Sequence, residues 1–193
     1  MKEIIALYFD ALKRCLSDIQ VTDQRGGILG AAEGIERAAV LIETQTSEGK
    51  KIIFIGNGAS AAISSHQATD YWKNGGMRAM AFNDAVLLTC VSNDFGYKYV
   101  FERPIEMFAE EGDVLVAISS SGQSENILRG VEAGKQKGCE ILALSGFAPD
   151  NPLHGKGSVN FYVSSYSYGH VEVVHHAICH CILDTIIGHY KKD

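Results

Sequence analysis

Five short apolar runs alternate with longer segments of helical texture from residue 51 to residue 190, and this alternation constrains the fold more than any other feature. The runs are KIIFIG (51–56), RAMAF (78–82), DVLVAIS (113–119), EILALSG (140–146) and VNFYVSS (159–165). Segments of helical character fill the gaps, at about 59–73, 97–110, 124–137 and 169–190. A strand that is apolar on both faces needs cover on both faces, which a parallel sheet between two helical layers supplies. The expected architecture is therefore α/β: a doubly wound, flavodoxin-like, five-stranded parallel sheet with flanking helices. Ligands of such sheets bind beyond the carboxyl ends of the strands.

The first 48 residues read differently. Ile4, Tyr8, Leu12, Cys15 and Ile19 recur at helical spacing and predict a helix over 1–22. A second helix is expected at about 28–48, after TDQRGG. No linker divides the chain, so residues 1–193 form one domain, with 1–48 a helical extension packing on it or on a neighbouring subunit. Acids and bases are threaded through the N-terminus, and no uncharged run reaches membrane-spanning length. A cytoplasmic protein with no membrane partner is expected. The net charge of −6 argues against a nucleic-acid surface, but not against one bound phosphate. The five cysteines contain no C-x-x-C pair and are expected to be reduced core residues.

Three loops fall where ligands bind. GNGAS supplies Gly56, Asn57, Gly58, Ala59 and Ser60 at a strand-to-helix junction. It is neither a Walker A loop nor G-x-G-x-x-G, and a plain tight turn accounts for it as well as a ligand does. SNDFGY carries Asn93 and Asp94 ahead of the 97–110 segment. SSSGQS is the most informative, with Ser119, Ser120, Ser121 and Ser124 beside a helix start. One serine suffices to cap a helix. Four hydroxyls, free amides and the helix dipole together fit a phosphate held without a formal positive charge.

Two helical segments carry possible metal or acid–base chemistry. His66 and Asp70 are spaced i, i+4, about 6 Å apart on one face. Glu172, His176 and His180 form an i, i+4, i+8 stripe. Imidazoles and carboxylates suit zinc, although a lone histidine is more often a hydrogen-bonded packing residue. Glu172 and His180 stand about 12 Å apart along a helix, so spacing alone favours His176 with one neighbour. His175, Tyr166 and Tyr168 read as packing or interface groups.

Together, GNGAS and ISSSGQSxN resemble the sugar isomerase (SIS) fold, over about residues 30–190. SNDFGYKYVF, GDVLVAISSSGQSENIL and the two leading helices are similar to the phosphoheptose isomerases in particular. The resemblance implies interconversion of sedoheptulose 7-phosphate and D-glycero-D-manno-heptose 7-phosphate, an early step toward bacterial surface heptoses. It implies one zinc ion per subunit on His66, Asp70, Glu172 and His180, passing over His176. Asp70 and His180 would share the acid–base work. Ser119, Ser120, Ser121 and Ser124 would hold the phosphate. Asn57, Gly58, Ala59, Ser60, Asp70, Asn93, Asp94 and Glu172 would surround the sugar, and the assembly would be a homotetramer. This chain departs from the family pattern in carrying Asp70 for glutamate, Glu172 for glutamine, Ala59 for glycine and Gly169 for aspartate. Those departures leave two alternatives: an isomerase of another phosphosugar, or a non-catalytic SIS protein. The latter would bind a sugar phosphate or a partner protein such as a replication initiator.

Overall fold

The structure is a computed structural model that describes residues 1–190. In chain order the first elements are α1 (Lys2–Ser17), β1 (Gln20–Asp23), β2 (Ile28–Leu29) and α2 (Ala31–Ser47). Then come β3 (Ile52–Gly56), α3 (Ala59–Lys73), β4 (Ala79–Ala81), α4 (Ala85–Asp94) and α5 (Glu102–Phe108). The chain continues through β5 (Val114–Ser119), α6 (Glu125–Gln136), β6 (Glu140–Gly146), β7 (Val159–Val163) and α7 (Tyr168–Tyr190).

The sheet has seven strands in the order β2-β1-β7-β6-β5-β3-β4. The five expected runs are all present and mutually parallel, from β4 to β7. Their relative order is that of flavodoxin, and the chain reverses its direction of winding between β3 and β5. Every residue of β3, β5 and β7 is buried, as continuous apolar runs between two layers require. One core lies between the sheet and α2, α3 and α7. The other lies between the sheet and α5 and α6, with α4 packed at its margin.

The N-terminal expectation needs correcting. The first helix ends at Ser17, and residues 20–29 form a two-stranded hairpin whose β1 pairs antiparallel with β7. The sheet is therefore mixed and seven-stranded, rather than parallel and five-stranded. TDQRGG is a turn organised by Asp23, whose Oδ1 accepts from the Arg25 and Gly27 amides at 2.8 Å. These amides hold the Asp23 carboxyl below its usual pKa. Val21 is buried under α2, where a side chain on Gly34 would overlap it.

Two more segments differ. Residues 85–94, which carry no helical expectation, form α4, capped by Asp84 Oδ1 accepting from Val86 and Leu87. Asn93 and Asp94 are thus in its last turn rather than in a loop. The 97–110 segment is a 3-10 turn at Tyr97–Tyr99 followed by the shorter α5. Pro104 sits in the first turn of α5, where its missing N–H costs no helical bond.

By length and composition, α7 is apolar enough to cross a membrane. Its apolar residues Val171, Val174, Ile178, Ile182 and Ile186 are instead buried against the sheet. In α1 no residue is buried, and Ile4, Ile5, Leu7 and Phe9 are exposed.

Candidate active site

A cavity of about 220 Å3 opens at the carboxyl ends of β3 and β5, where the winding reverses. Asn57, Gly58, Ala59 and Ser60 line it from the first loop, and Ser119, Ser120, Ser121 and Ser124 from the second. Tyr168 and Glu172, from the first turns of α7, complete the wall. Tyr168, read from sequence as a packing or interface group, is a cavity residue.

Local backbone chemistry builds both loops. Gly58 has φ of 56° and turns the chain into α3, while a Cβ on Gly56 would run into the Ser60 backbone. Gly122 has φ of 64°, and a Cβ there would overlap the Asn151 side chain. The Gly122 amide donates to Ser119 Oγ at 3.1 Å, and the Gln123 amide to Ser121 Oγ at 3.3 Å. Ser120 Oγ is buried without a partner. Ser124 occupies the cap position of α6, yet its side chain makes no capping bond. Capping therefore explains none of these hydroxyls, and those of Ser120 and Ser124 remain available to a ligand. Side-chain hydrogen bonds steady the first loop: Asn57 and Asn126 exchange hydrogen bonds at 2.9 Å, and Tyr97 Oη donates to Asn57 Oδ1 at 2.8 Å. Sequence reasoning missed Asn126 as a positioning group, although it lies in the first turn after the serines.

The titratable cluster lies farther along α3 and α7. His66 Nε2 is 3.1 Å from Asp70 Oδ2, and His180 Nδ1 is 4.0 Å from the same oxygen. His176 joins them: one ligand atom from each of His66, His176 and His180 lies within 4.8 Å of the other two. Their ring centroids are 4.6–5.4 Å apart. His176 Nε2 is buried without a hydrogen-bond partner. Burial, and then the His180 and His66 rings, hold His176 below the ordinary imidazole pKa. Three imidazoles, one of them with an orphaned nitrogen, and the Asp70 carboxylate beside two of them are a donor set that zinc accepts. The residues present fit such an ion.

The structure thus brings His66, Asp70 and His180 together and keeps Glu172 with the serines. Asn93 and Asp94 are not among the cavity residues; the Asn93 amide donates to Asp94 Oδ1 at 2.9 Å. His175 is fully buried, and its ring Nε2–H donates to the Ser145 carbonyl at 3.0 Å. Burial pushes its pKa down to about 4.

The SIS domain family model matches residues 8–146. This chain belongs to that family, within the phosphoheptose isomerases. It is 38% identical over 160 residues to a phosphoheptose isomerase of Serratia proteamaculans, covering 80% of this chain and 82% of that protein. It is 35% identical over 166 residues to that of Proteus mirabilis, covering 83% and 86%. Among solved structures, the phosphoheptose isomerase of Neisseria gonorrhoeae superposes with a TM-score of 0.83 at 28% identity, covering 96% of this chain and 98% of that one. In this member the carboxylate beside His66 is an aspartate, one methylene shorter than the family's glutamate, and it remains within 3.1 Å of the ring.

Proposed function

We propose that the protein is an aldose–ketose isomerase that interconverts sedoheptulose 7-phosphate and D-glycero-D-manno-heptose 7-phosphate. The observation that carries this reading is that one pair of helices, α3 and α7, serves both a serine-lined cavity and a histidine–carboxylate cluster. From Ser60 to His66, α3 advances about 9 Å, at 1.5 Å per residue. An extended chain gains about 1.2 Å per bond, so the six carbon–carbon bonds between C1 and C7 span about 7 Å. A phosphate in the serine cavity leaves C1 and C2 within reach of the cluster.

Isomerisation moves a proton between C1 and C2 and another between their oxygens, through an enediol. Asp70 accepts the carbon-bound proton and returns it to the neighbouring carbon. His180, beside it, exchanges the oxygen-bound proton. Zinc, when bound by residues of the cluster, supplies polarisation of the substrate oxygens. The serine hydroxyls and the α6 amides fix the phosphate and so the register of the sugar. Asn57 and Glu172 hydrogen-bond the hydroxyls between, whereas Asn93 and Asp94 would have to act from the end of α4. The same reading makes the uncovered apolar face of α1 a contact between copies, in the homotetramer that the family resemblance implies.

The test is NMR of sedoheptulose 7-phosphate with purified protein. Appearance of the aldose, and exchange of a C1 proton in deuterated water, are expected. Binding of the sugar without conversion would favour the non-catalytic alternative.

A further inference from the structure

We infer that His176, rather than Glu172, joins His66, Asp70 and His180 in binding the metal, and that Glu172 belongs to the sugar. The inference rests on the metal-dependent isomerase reading and deepens it. Zinc–nitrogen bonds of about 2.0–2.1 Å place tetrahedral donors about 3.3 Å apart. The three imidazoles, already within 4.8 Å of one another, need only small rotations to reach that spacing. Asp70 Oδ2, at 3.1 Å from His66 and 4.0 Å from His180, is the remaining donor, and expansion to five-coordinate would give a substrate oxygen its place on the metal.

Two further observations favour His176 over Glu172. His176 and His180 are one helical turn apart and meet on one face, whereas Glu172 and His180 are two turns apart, about 12 Å along the axis. The buried, partnerless Nε2 of His176 also incurs the cost of an unmade hydrogen bond unless something ligates it. Glu172 meanwhile lines the serine cavity with Tyr168. A carboxylate there accepts hydrogen bonds only, so it selects sugar hydroxyls and repels a second anion. With neutral imidazoles, three histidines and Asp70 leave a bound Zn2+ with a net charge of +1; adding Glu172 would cancel it.

Zinc affinity by chelator competition separates the two assignments without reference to turnover. Outer-shell changes around a zinc site cost about 10–100-fold in affinity, so loss of a direct ligand in His176→Ala is expected to cost on the order of 100-fold or more. Glu172→Ala is expected to stay within about threefold for zinc, yet to weaken binding of sedoheptulose 7-phosphate. X-ray absorption of the zinc-loaded wild type needs no variant, and three coordinated imidazoles are expected. Two imidazoles, or zinc lost in Glu172→Ala and kept in His176→Ala, would overturn the inference while leaving the isomerase reading intact. A wild type that binds no zinc, yet isomerises the sugar, would overturn the inference and the metal but not the reaction.

Discussion

Asn57 and Asn126 face each other as a reciprocal amide pair, each Nδ2 donating to the other's Oδ1 at 2.9 Å. The pair ties the loop after β3 to the first turn of α6, the two segments that bound the serine cavity. Asn126→Ala leaves Asn57 with only Tyr97 as a partner. It should destabilise the fold by about 1–3 kcal/mol and weaken sugar-phosphate binding together. Denaturant unfolding and calorimetric titration of the same sample check whether the two losses travel together.

Ser124 separates capping from binding. Because its side chain makes no capping bond, Ser124→Ala should leave the unfolding midpoint nearly unchanged. A hydrogen bond to a charged group contributes roughly 1.5–3 kcal/mol, so sugar-phosphate affinity should fall by about tenfold or more. A lower midpoint with unchanged affinity would make Ser124 a helix cap and nothing else.

Gly122 should tolerate no side chain. Its φ of 64° and the position of Asn151 oppose a Cβ. Asn151 in turn donates to the Gly146 and Ala148 carbonyls, so it cannot withdraw freely. Gly122→Ala is expected to cost about 2 kcal/mol or more, read from denaturant unfolding.

Asp70→Asn should reduce turnover by at least about 100-fold, since an amide cannot accept a carbon-bound proton. Asp70→Glu, which restores the family's longer side chain, should keep or raise it. Single-turnover conversion of sedoheptulose 7-phosphate measures both, and an Asp70→Asn protein working at the wild-type rate would remove Asp70 from the mechanism.

Thiol reactivity should divide the cysteines. Burial pushes Cys139 up to about 11 and Cys179 up to about 12, so neither offers thiolate at pH 8. Cys90 and Cys181 are exposed and should react first. Mass-spectrometric mapping after brief alkylation, with and without denaturant, should show Cys179 modified only in the unfolded chain.

The central strands are legible in the sequence because burial on both faces leaves uninterrupted apolar runs such as Ile52–Gly56 and Val114–Ser119. The hairpin is not. Ile19 continues the helical spacing of Ile4, Tyr8, Leu12 and Cys15, and the four residues of β1 become a strand only because β7 has an open edge to pair with. In α4, no residue is fully buried, so its AVLLTCVSND sequence gives no amphipathic pattern to read. At the site, the serines and His66–Asp70 are legible from local spacing. Asn126 and Tyr97 stand in the ISSSGQSxN and SNDFGY motifs, but their role as partners of Asn57 depends on contacts across the fold, as does the place of Tyr168 in the cavity wall. For His176, helix spacing and family resemblance point in opposite directions, and side-chain convergence in the folded chain favours spacing.

The hairpin also changes what the first thirty residues are for. Without β1, the outer side of β7 would present a row of unpaired amides and carbonyls, a template onto which another chain could add a strand. Asn160, whose side chain donates to the Thr22 and Asp23 carbonyls, helps hold that seam shut. A chain trimmed to begin at residue 31 would keep every residue of the cavity and the histidine cluster, yet lose its protection against edge-to-edge polymerisation. Only two residues, Asp18 and Ile19, separate α1 from β1. The orientation of α1 is therefore tied to the same seam, and any grip it takes on a second copy is anchored through the sheet rather than through a free arm.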